Sequence, residues 1–265
     1  MKQRADLALV ARGLAPSRER ARAMILAGRV FCGEQRVDKA SWMVMPQDSL
    51  SLRGEERAWA SRGALKLEKA LQVFEADVSG LVAMDIGAAS GGFTDVLLRR
   101  GAAHVYAIDV GYGQLDWRLR QDERVTVMER TNARLLNAEQ FPLRPDLTAM
   151  DVSFISIRLI LPVAMEIMGV QGRFFTLIKP QFEAGRGLVG KHGVVREADT
   201  HVHVLREIRD FVDGCGWRVQ GMTFSPVKGP KGNIEFLADL VHGPGASLDD
   251  MAIARLVEQA HTELR

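Results

Sequence analysis

The chain has 265 residues, of which 47% are hydrophobic and 26% are charged, a balance typical of a folded globular protein and not of a disordered one. The sequence has no apolar run near the roughly 18 residues that a membrane span needs, and no apolar stretch of a signal peptide follows its basic start. Cys32 and Cys215 are far apart and have no metal-ligand spacing. We therefore predict a cytoplasmic protein with reduced thiols, no membrane partner and no metal.

Positive charge is concentrated at the start of the chain. Residues 1–57 hold eleven lysines and arginines against seven acids, whereas the whole chain has a net charge of only +2. A basic segment of this kind indicates contact with a polyanion. The alternative is a solvated basic face without a partner.

The first part of the chain predicts two short helices followed by short strands. An apolar pattern over residues 4–12 ends at Gly13, and Ser17 is a suitable N-cap for a second helix. Residues 30–32 and 42–44 predict strands. Together these elements indicate a small α+β domain over residues 1–58.

From about residue 61 the pattern changes to alternating strands and helices. The predicted strands are residues 81–86, 104–110, 124–128, 147–152, 173–178, 217–224 and 234–241. The predicted helices are residues 93–99, 157–168 and 201–212, with a last helix over 247–264 capped by Ser247. This alternation predicts a Rossmann-like α/β domain over residues 59–265, with a mostly parallel seven-stranded sheet and helices on both faces.

A glycine-rich segment, residues 85–94, lies between the first strand and the first helix of this domain. Small residues let the backbone approach an adenosine-bearing ligand at the carboxyl edge of the sheet. Gly87, Ala89 and Gly92 partly match the dinucleotide fingerprint, but Asp85 would place a carboxylate beside the pyrophosphate. S-adenosylmethionine has no phosphate and carries an α-amino group, so we favour it as the cofactor. A dinucleotide, or a glycine-rich turn without a ligand, is the alternative.

The predicted cofactor contacts extend beyond this segment. Asp109 ends the second strand, where a carboxylate can accept hydrogen bonds from both hydroxyls of a ribose. The full predicted set is Asp85, Gly87, Ala88, Ser90, Gly91, Gly92, Phe93, Thr94, Asp109, Asn132 and Asp151.

Four charged residues lie close to predicted strands. Lys66 is just ahead of the first strand, Asp151 and Lys179 end the fourth and fifth strands, and Glu235 is on the last strand. Isolated charges are costly to bury at apolar strand ends, so we predict that the four form one catalytic group. A structural ion-pair network or a solvated sheet rim is the alternative.

Two lysines and two carboxylates suit methyl transfer to a hydroxyl. Such a transfer requires the methyl group and the oxygen to be aligned and the hydroxyl proton to be removed. The pKa of a free lysine is about 10.4, and a second lysine together with partial burial can lower it. We hypothesise that Lys179 is the base and that Lys66 lowers its pKa. Asp151 and Glu235 would orient the pair, although their charges oppose that shift.

The chain resembles the TlyA (hemolysin A) family of ribosomal RNA 2′-O-methyltransferases, whose catalytic domain is FtsJ-like. The matching segments, spread over nearly the whole chain, are residues 61–67, 85–95, 109–117, 151–156, 179–186 and 232–236. Trp59 stands where the family usually has tyrosine, and Ala89-Ser90 replaces a commoner Ser-Thr pair. Neither departure affects the four charged residues.

The resemblance implies an S-adenosylmethionine-dependent enzyme that methylates cytidine riboses in small- or large-subunit ribosomal RNA. It implies that residues 1–58 are an S4-type RNA-binding domain. It also implies that Lys66, Asp151, Lys179 and Glu235 are the family's Lys-Asp-Lys-Glu catalytic tetrad. Ribosomal RNA or a ribosomal subunit is then the expected partner, while the target nucleotide, the subunit and the oligomeric state are left open.

Basic and aromatic side chains are the candidates for RNA contacts. The predicted basic set is Arg4, Arg18, Arg22, Arg29, Arg62, Arg186 and Lys191. Residues 185–195 indicate either a loop that closes over RNA or an ordinary surface loop. His192 in this loop is interpreted as a backbone or phosphate contact, because no second metal ligand lies at a suitable spacing. Trp117 and Phe182 are candidates for stacking on a flipped-out base, although core packing is the favoured role for Trp117.

Three other functions were weighed against this interpretation. The older family name suggests a pore-forming or lytic protein, but the predicted last helix begins with acids and suits anionic lipid poorly. An RNA-binding protein with an inactive enzyme domain is a second alternative, which the intact glycine-rich segment and the four charges oppose. A dinucleotide oxidoreductase is the third.

Overall fold

The computed structural model of the protein covers residues 2–15, 17–26, 28–53 and 59–264. The chain divides into two compact units, Met1–Ala58 and Trp59–Arg265. Each unit has its own cluster of buried apolar side chains. An independent core of this kind is what defines a folded domain.

The first unit is a small α+β fold. Its elements are β1 (Gln3–Arg4), α1 (Ala5–Ala11), α2 (Arg18–Leu26), β2 (Val30–Cys32), β3 (Gln35–Arg36), β4 (Met43–Val44) and β5 (Leu50–Leu52). Strand β2 pairs with β3 and β5, and β1 pairs with β4, all antiparallel. Leu9 from α1 and Ile25 from α2 are buried in its core together with Val30. The predicted small α+β unit is confirmed.

A buried carboxylate joins the two helices of this unit. Asp6 on α1 is fully buried, and its oxygens accept hydrogen bonds from Nε of Arg4 (3.0 Å), Arg18 (2.9 Å) and Arg22 (3.2 Å). The hydrogen bond from Arg4, reinforced by Arg18 and Arg22, holds the pKa of Asp6 far below its usual range, although burial acts to raise it. The charge of Asp6 is therefore matched by cations from β1 and α2.

We expect Asp6→Asn to destabilise the first unit by about 2–4 kcal/mol. Removing one partner of a buried ion pair costs about 3–5 kcal/mol, and the partial exposure of the arginines reduces that loss. Hydrogen exchange of the amides in residues 2–53 measures the effect. Asp38→Asn, at an exposed acid of the same unit, is the control and should change stability by less than about 0.5 kcal/mol. Equal effects of the two substitutions would show that the arginine cluster does not stabilise the unit.

The second unit is an α/β fold. Its strands are β6 (Val82–Ile86), β7 (His104–Ile108), β8 (Val125–Met128), β9 (Leu147–Met150), β10 (Arg173–Ile178), β11 (Trp217–Phe224) and β12 (Phe236–His242). Its α-helices are α3 (Ala64–Val73), α4 (Gly92–Arg99), α5 (Trp117–Arg120), α6 (Leu161–Met168), α7 (Pro180–Glu183), α8 (Ala198–Gly214) and α9 (Asp250–Glu263). Strands and helices thus alternate through most of the unit.

The seven strands form one sheet in the order β11-β12-β10-β9-β6-β7-β8. Strands β10, β9, β6, β7 and β8 are parallel, and β12 is antiparallel to both β10 and β11. From β6 the chain first adds strands on one side, β7 and β8, and then on the other side, β9 and β10. A reversal of this kind opens a crevice at the carboxyl ends of the strands, where ligands bind. The predicted Rossmann-like fold is confirmed.

Helices cover both faces of the sheet. Phe174 of β10 belongs to a buried cluster with Leu161 of α6 and Ile208 of α8. Its neighbour Phe175 points to the opposite face and belongs to a cluster with Leu67 of α3 and Leu97 of α4. Because both faces are covered, the strands are apolar along their length, as in other buried parallel sheets.

Several local features differ from the sequence prediction, among them the short helices α5 and α7, which were not predicted. Lys66 lies on α3, a helix that was not predicted. Glu235 directly precedes β12 and is not part of that strand. The cap of α9 is Asp249, whose side chain accepts from the N–H of Ala252, because the hydroxyl of Ser247 accepts instead from the N–H of Val219.

Candidate active site

The chain turns sharply between β6 and α4. Gly87 (φ +88°) and Gly91 (φ +89°) both adopt left-handed backbone conformations, which glycine reaches without steric cost. The N–H groups of Gly87 and Ala88 donate to the carbonyl of Ile108, at 2.8 and 3.0 Å. These bonds fix the turn against the end of β7.

Gly87 also lies against the segment that follows β9. A β-carbon on Gly87 would be 2.4 Å from the carbonyl oxygen of Asp151, which is much shorter than a van der Waals contact. The missing side chain therefore allows the carboxyl ends of β6 and β9 to approach each other closely.

We expect Gly87→Ala to lower the free energy of unfolding by about 1–3 kcal/mol more than Gly80→Ala, because it adds a steric overlap to the backbone strain. Gly80 has a similar φ of +75° but open space around the position of a β-carbon, so it is a matched control. Thermal unfolding measures both changes, and equilibrium dialysis with an adenosine-bearing ligand should show weaker binding to Gly87→Ala alone. Equal stability and equal binding of the two variants would contradict the close contact.

Asp85 is fully buried near the end of β6. Its Oδ2 accepts from the N–H of Thr94 (2.8 Å) and from the hydroxyl of Thr94 (2.6 Å), while no hydrogen-bond partner of Oδ1 exists among the described residues. Burial raises the pKa of Asp85 to about 7, against the hydrogen bonds from Thr94, which act to lower it. Asp85 thus anchors the first turn of α4, and its predicted contact with a ligand amino group stays a prediction.

Two adjoining cavities lie at the carboxyl edge of the sheet. The first cavity, of about 540 Å³, is lined by all four of the charged residues singled out above. The second cavity, of about 440 Å³, is lined by Asp109, by Asn132 and by several apolar side chains. The residues that line both cavities are Gly87, Ala89, Asp151, Ser153 and Phe154.

The other predicted cofactor residues divide into two groups. Those that line the first cavity are Ala88, Gly92 and Phe93. Those that line neither cavity are Asp85, Ser90, Gly91 and Thr94. The residues of this second group form the turn and the start of α4. The predicted cofactor set therefore contains both residues that line a cavity and residues that support the lining.

Asp109 follows β7 and faces the second cavity. Its Oδ2 accepts from the N–H of Ala89 (2.8 Å) and its Oδ1 from the N–H of Gly111 (2.6 Å). Each carboxylate oxygen can accept more than one hydrogen bond, so both oxygens can also accept from a ligand. This arrangement suits a pair of neighbouring hydroxyl groups.

Lys66, Asp151, Lys179 and Glu235, together called the tetrad below, are linked by ion pairs. Lys66 Nζ is 2.8 Å from Glu235 Oε2 and 3.1 Å from Asp151 Oδ2. Lys179 Nζ is 2.5 Å from Asp151 Oδ1. The four residues come from α3, from the positions after β9 and β10, and from the position before β12. The fold therefore brings together charges that are widely separated in sequence, and their catalytic role stays a prediction.

The tetrad is largely shielded from solvent. Glu235 is fully buried, and the side chains of Lys66 and Lys179 are 11% and 8% exposed. Burial acts to lower the pKa of Lys66, but the charges of Asp151 and Glu235 outweigh it, and the net pKa is raised. Lys66 is therefore a permanent cation at neutral pH.

Ser153 contacts the tetrad and was not predicted. Lys179 Nζ donates a hydrogen bond to Ser153 Oγ at 2.8 Å. A serine three residues after the end of a strand has no pattern that marks it in the sequence. Its importance appears only when the fold places residues 151–153 beside the lysine.

An aromatic pair, the exposed Phe154 and the half-buried Phe182, borders the first cavity. Phe154 has a left-handed backbone (φ +66°) and is 90% exposed, and its ring centroid is 5.2 Å from that of Phe182. A bulky residue in this conformation is unusual. An exposed aromatic ring next to a charged cavity suggests that the ring binds part of a ligand. Sequence reasoning singled out Phe182 and missed Phe154.

The loop over residues 185–195 also borders the first cavity, which His192 lines. The side-chain amide of the buried Asn233 accepts from the N–H of Val195 (3.0 Å) and donates to the carbonyl of Gly193 (3.0 Å). Asn233 thus joins this loop to the segment that precedes β12.

The predicted RNA-binding arginines of the first unit have an additional role. Arg4, Arg18 and Arg22 pair with Asp6, and their side chains remain 36%, 49% and 54% exposed. The sequence analysis did not predict this pairing. It directs one edge of each guanidinium group toward Asp6. Among the others, Arg29 is half-buried, Arg62 and Lys191 are exposed, and the side chain of Arg186 lies outside the described part of the structure.

Within residues 2–15, 17–26, 28–53 and 59–264, no helix is both long enough and apolar enough to cross a membrane. The same residues contain no group of three or more histidine, cysteine or acidic side chains that could hold a metal ion.

Comparison with known proteins was made with both sequence and structure. Residues 59–240 match the FtsJ-like methyltransferase family, and residues 3–50 match the S4 domain. Bacillus subtilis YqxC, which is provisionally named an rRNA methyltransferase, is 46% identical over 100% of this chain and 96% of its own. The 16S/23S rRNA (cytidine-2′-O)-methyltransferase TlyA of Mycobacterium tuberculosis is 42% identical over 98% of this chain and 97% of its own.

A solved structure from Streptococcus thermophilus, described as a hemolysin, is 44% identical and has a TM-score of 0.76. It covers 99% of this chain, which in turn covers 96% of it. The resemblance that the sequence motifs predicted is therefore confirmed over the full length. The chain is a methyltransferase that belongs to the FtsJ-like family and carries an S4 domain at residues 3–50.

Proposed function

We propose that the protein uses S-adenosylmethionine to methylate the 2′-hydroxyl of a cytidine in ribosomal RNA. The observation that carries the proposal is the position of the tetrad in a cavity that adjoins a second one, lined by Gly87 and Asp109. A methyl donor in the second cavity and a ribose in the first cavity would meet beside the residues that line both cavities, among them Asp151 and Ser153.

The second cavity fits an adenosine. Ile86, Ile108 and Val152 provide apolar walls for a flat ring system, and the carboxylate of Asp109 can accept hydrogen bonds from both ribose hydroxyls. When bound, S-adenosylmethionine supplies an electrophilic methyl group on a sulfonium.

A dinucleotide fits the same turn poorly. Its pyrophosphate would need the free N–H groups at the start of a helix. In α4 the N–H of Thr94 already donates to the carboxylate of Asp85, and that carboxylate would repel a phosphate whenever it is ionised. This contact favours the methyl donor over a nicotinamide or flavin dinucleotide.

The tetrad can bind the ribose and accept its proton. In the transfer, the bond between the 2′-oxygen and the methyl carbon forms as the bond between sulfur and that carbon breaks, and the hydroxyl proton moves to a base. Lys179 in its neutral form can take this proton at Nζ.

Two features favour RNA as the substrate. The ring pair of Phe154 and Phe182 offers a stacking surface for an unpaired base beside the first cavity. The S4 match and the half-exposed arginines around Asp6 give the first unit a basic surface. The choice of a ribosomal cytidine follows the name of the relative from Mycobacterium tuberculosis.

The proposal is tested by incubating the purified protein with tritiated S-adenosylmethionine and, separately, small subunits, large subunits and naked ribosomal RNA. We expect label in RNA from at least one of them, retained in an alkali-resistant dinucleotide, because a 2′-O-methyl group blocks attack on the neighbouring phosphodiester. Label recovered in mononucleotides would indicate base methylation and contradict the proposed target atom. Absence of label in every substrate would contradict the activity itself.

A further inference from the structure

The two lysines of the tetrad differ in their second contact. Lys66 Nζ is paired with two carboxylates, at 2.8 Å to Glu235 and 3.1 Å to Asp151. Lys179 Nζ is paired with one carboxylate, at 2.5 Å to Asp151, and with the hydroxyl of Ser153 at 2.8 Å. Ser153 therefore occupies, next to Lys179, the place that Glu235 occupies next to Lys66.

We infer that Ser153 is a positioning residue that makes Lys179, and not Lys66, the proton acceptor, an inference that rests on the proposed function. A carboxylate within hydrogen-bond distance favours the ammonium form of a lysine, whereas a hydroxyl accepts an N–H from either form. Lys66, with two carboxylates, keeps its proton. Lys179 has one carboxylate and one hydroxyl as partners, so its Nζ meets one negative charge fewer than that of Lys66.

The same contact orients the lone pair of Lys179. A neutral amine has two N–H bonds and one lone pair in a tetrahedral arrangement. Ser153 Oγ accepts a hydrogen bond from Nζ at 2.8 Å, and Asp151 Oδ1 lies 2.5 Å from the same nitrogen as an ion-pair partner. With one N–H bond directed at each oxygen, the lone pair points away from both. Because Lys179 lines the first cavity, a ribose hydroxyl there can approach from that side. Two acceptors within residues 151–153 thus direct the base.

Other charged groups share this cavity and contribute to its pH dependence. Lys66 enters from α3, Glu235 from the position before β12, His192 from the 185–195 loop and Lys231 from the segment before β12. All of them are unchanged when residue 153 is substituted. A difference in pH profile between two variants at position 153 therefore reports the new side chain.

The test compares Ser153→Asp with Ser153→Asn in the full chain, because aspartate and asparagine have nearly the same shape and differ in charge. The rate constant of a single turnover is measured from pH 6 to pH 10 with saturating donor and RNA. We expect the rate constant of Ser153→Asp to rise with pH about 1–3 pH units higher than that of Ser153→Asn. This is the range by which a neighbouring carboxylate shifts a pKa. Coincident profiles of the two variants would overturn the inference.

Ser153→Ala and Ser153→Thr provide a second comparison in case Ser153→Asp does not fold. Threonine keeps the hydroxyl, so we expect it to retain most of the wild-type rate, while alanine should lower kcat at least about tenfold with an unchanged Kd for the donor. Equal rates for alanine and threonine would also overturn the inference. Failure of the wild-type protein to methylate RNA is a separate outcome, which removes the proposed function and this inference together.

Discussion

Replacing Lys179 with alanine should lower kcat for methyl transfer by about 10²–10⁴-fold, the usual contribution of a general base, without weakening donor binding. Lys179 lines the first cavity and not the second, so its side chain is absent from the walls around the adenosine. Single-turnover kinetics with saturating RNA measures the rate, and titration calorimetry measures the Kd for S-adenosylmethionine.

The control for this prediction is Lys69→Ala. Lys69 lies on α3 one turn after Lys66, contacts the ring of Phe224 and lines neither cavity, so we expect a nearly normal rate. Near-normal turnover by Lys179→Ala would mean that the proton leaves by another route. Parallel loss of turnover and donor binding would instead indicate that Lys179 supports the structure of the site.

Asp151→Ala should impair both catalysis and donor binding, and it should also destabilise the second unit. Asp151 is the carboxylate that contacts both lysines of the tetrad, at 3.1 and 2.5 Å. It lines both cavities. Its loss leaves the shielded side chains of Lys66 and Lys179 without the carboxylate between them, which we expect to cost about 3–5 kcal/mol. Turnover should fall by at least the factor predicted for Lys179→Ala, as measured in the same single-turnover assay, and thermal unfolding should report the loss of stability.

The matched control is Asp146→Ala at the opposite end of β9. The carboxylate of Asp146 is exposed and accepts from the N–H of Val82 at 3.0 Å. Its removal should cost about 1 kcal/mol and leave the rate unchanged. If the two aspartate variants were equally stable and equally active, the bridging role assigned to Asp151 would be wrong.

The strands and the carboxyl edge of the sheet were predictable because their signals are local. A buried parallel strand is a short apolar run, and the residues directly after such runs, Asp151 and Lys179, must lie at one edge. Helix α3 was missed although Ala64, Leu67 and Leu71 have helical spacing. It begins after Gly63 without a side-chain cap, so the usual start signal is lacking.

The contacts of individual side chains were less accessible to sequence reasoning. The pairing of Asp6 with three arginines depends on how α1 and α2 pack, which their separate patterns do not encode. Ser153 and Phe154 belong to an irregular segment after β9, and the left-handed backbone of Phe154 has no signature in a bulky residue. Sequence thus indicated which charges meet, and only the fold revealed what surrounds them.

Strand β12 follows β11 in the chain yet inserts between β11 and β10, and Glu235 is positioned by this insertion. During synthesis on the ribosome, the S4 unit emerges first and can fold while the tetrad still lacks its last member. Under the proposed function, a nascent chain could therefore bind RNA before it could modify it. Methylation would begin only after β12 has joined the sheet and has brought Glu235 to the other three residues of the tetrad. A polypeptide truncated before β12 would therefore have no methyltransferase activity.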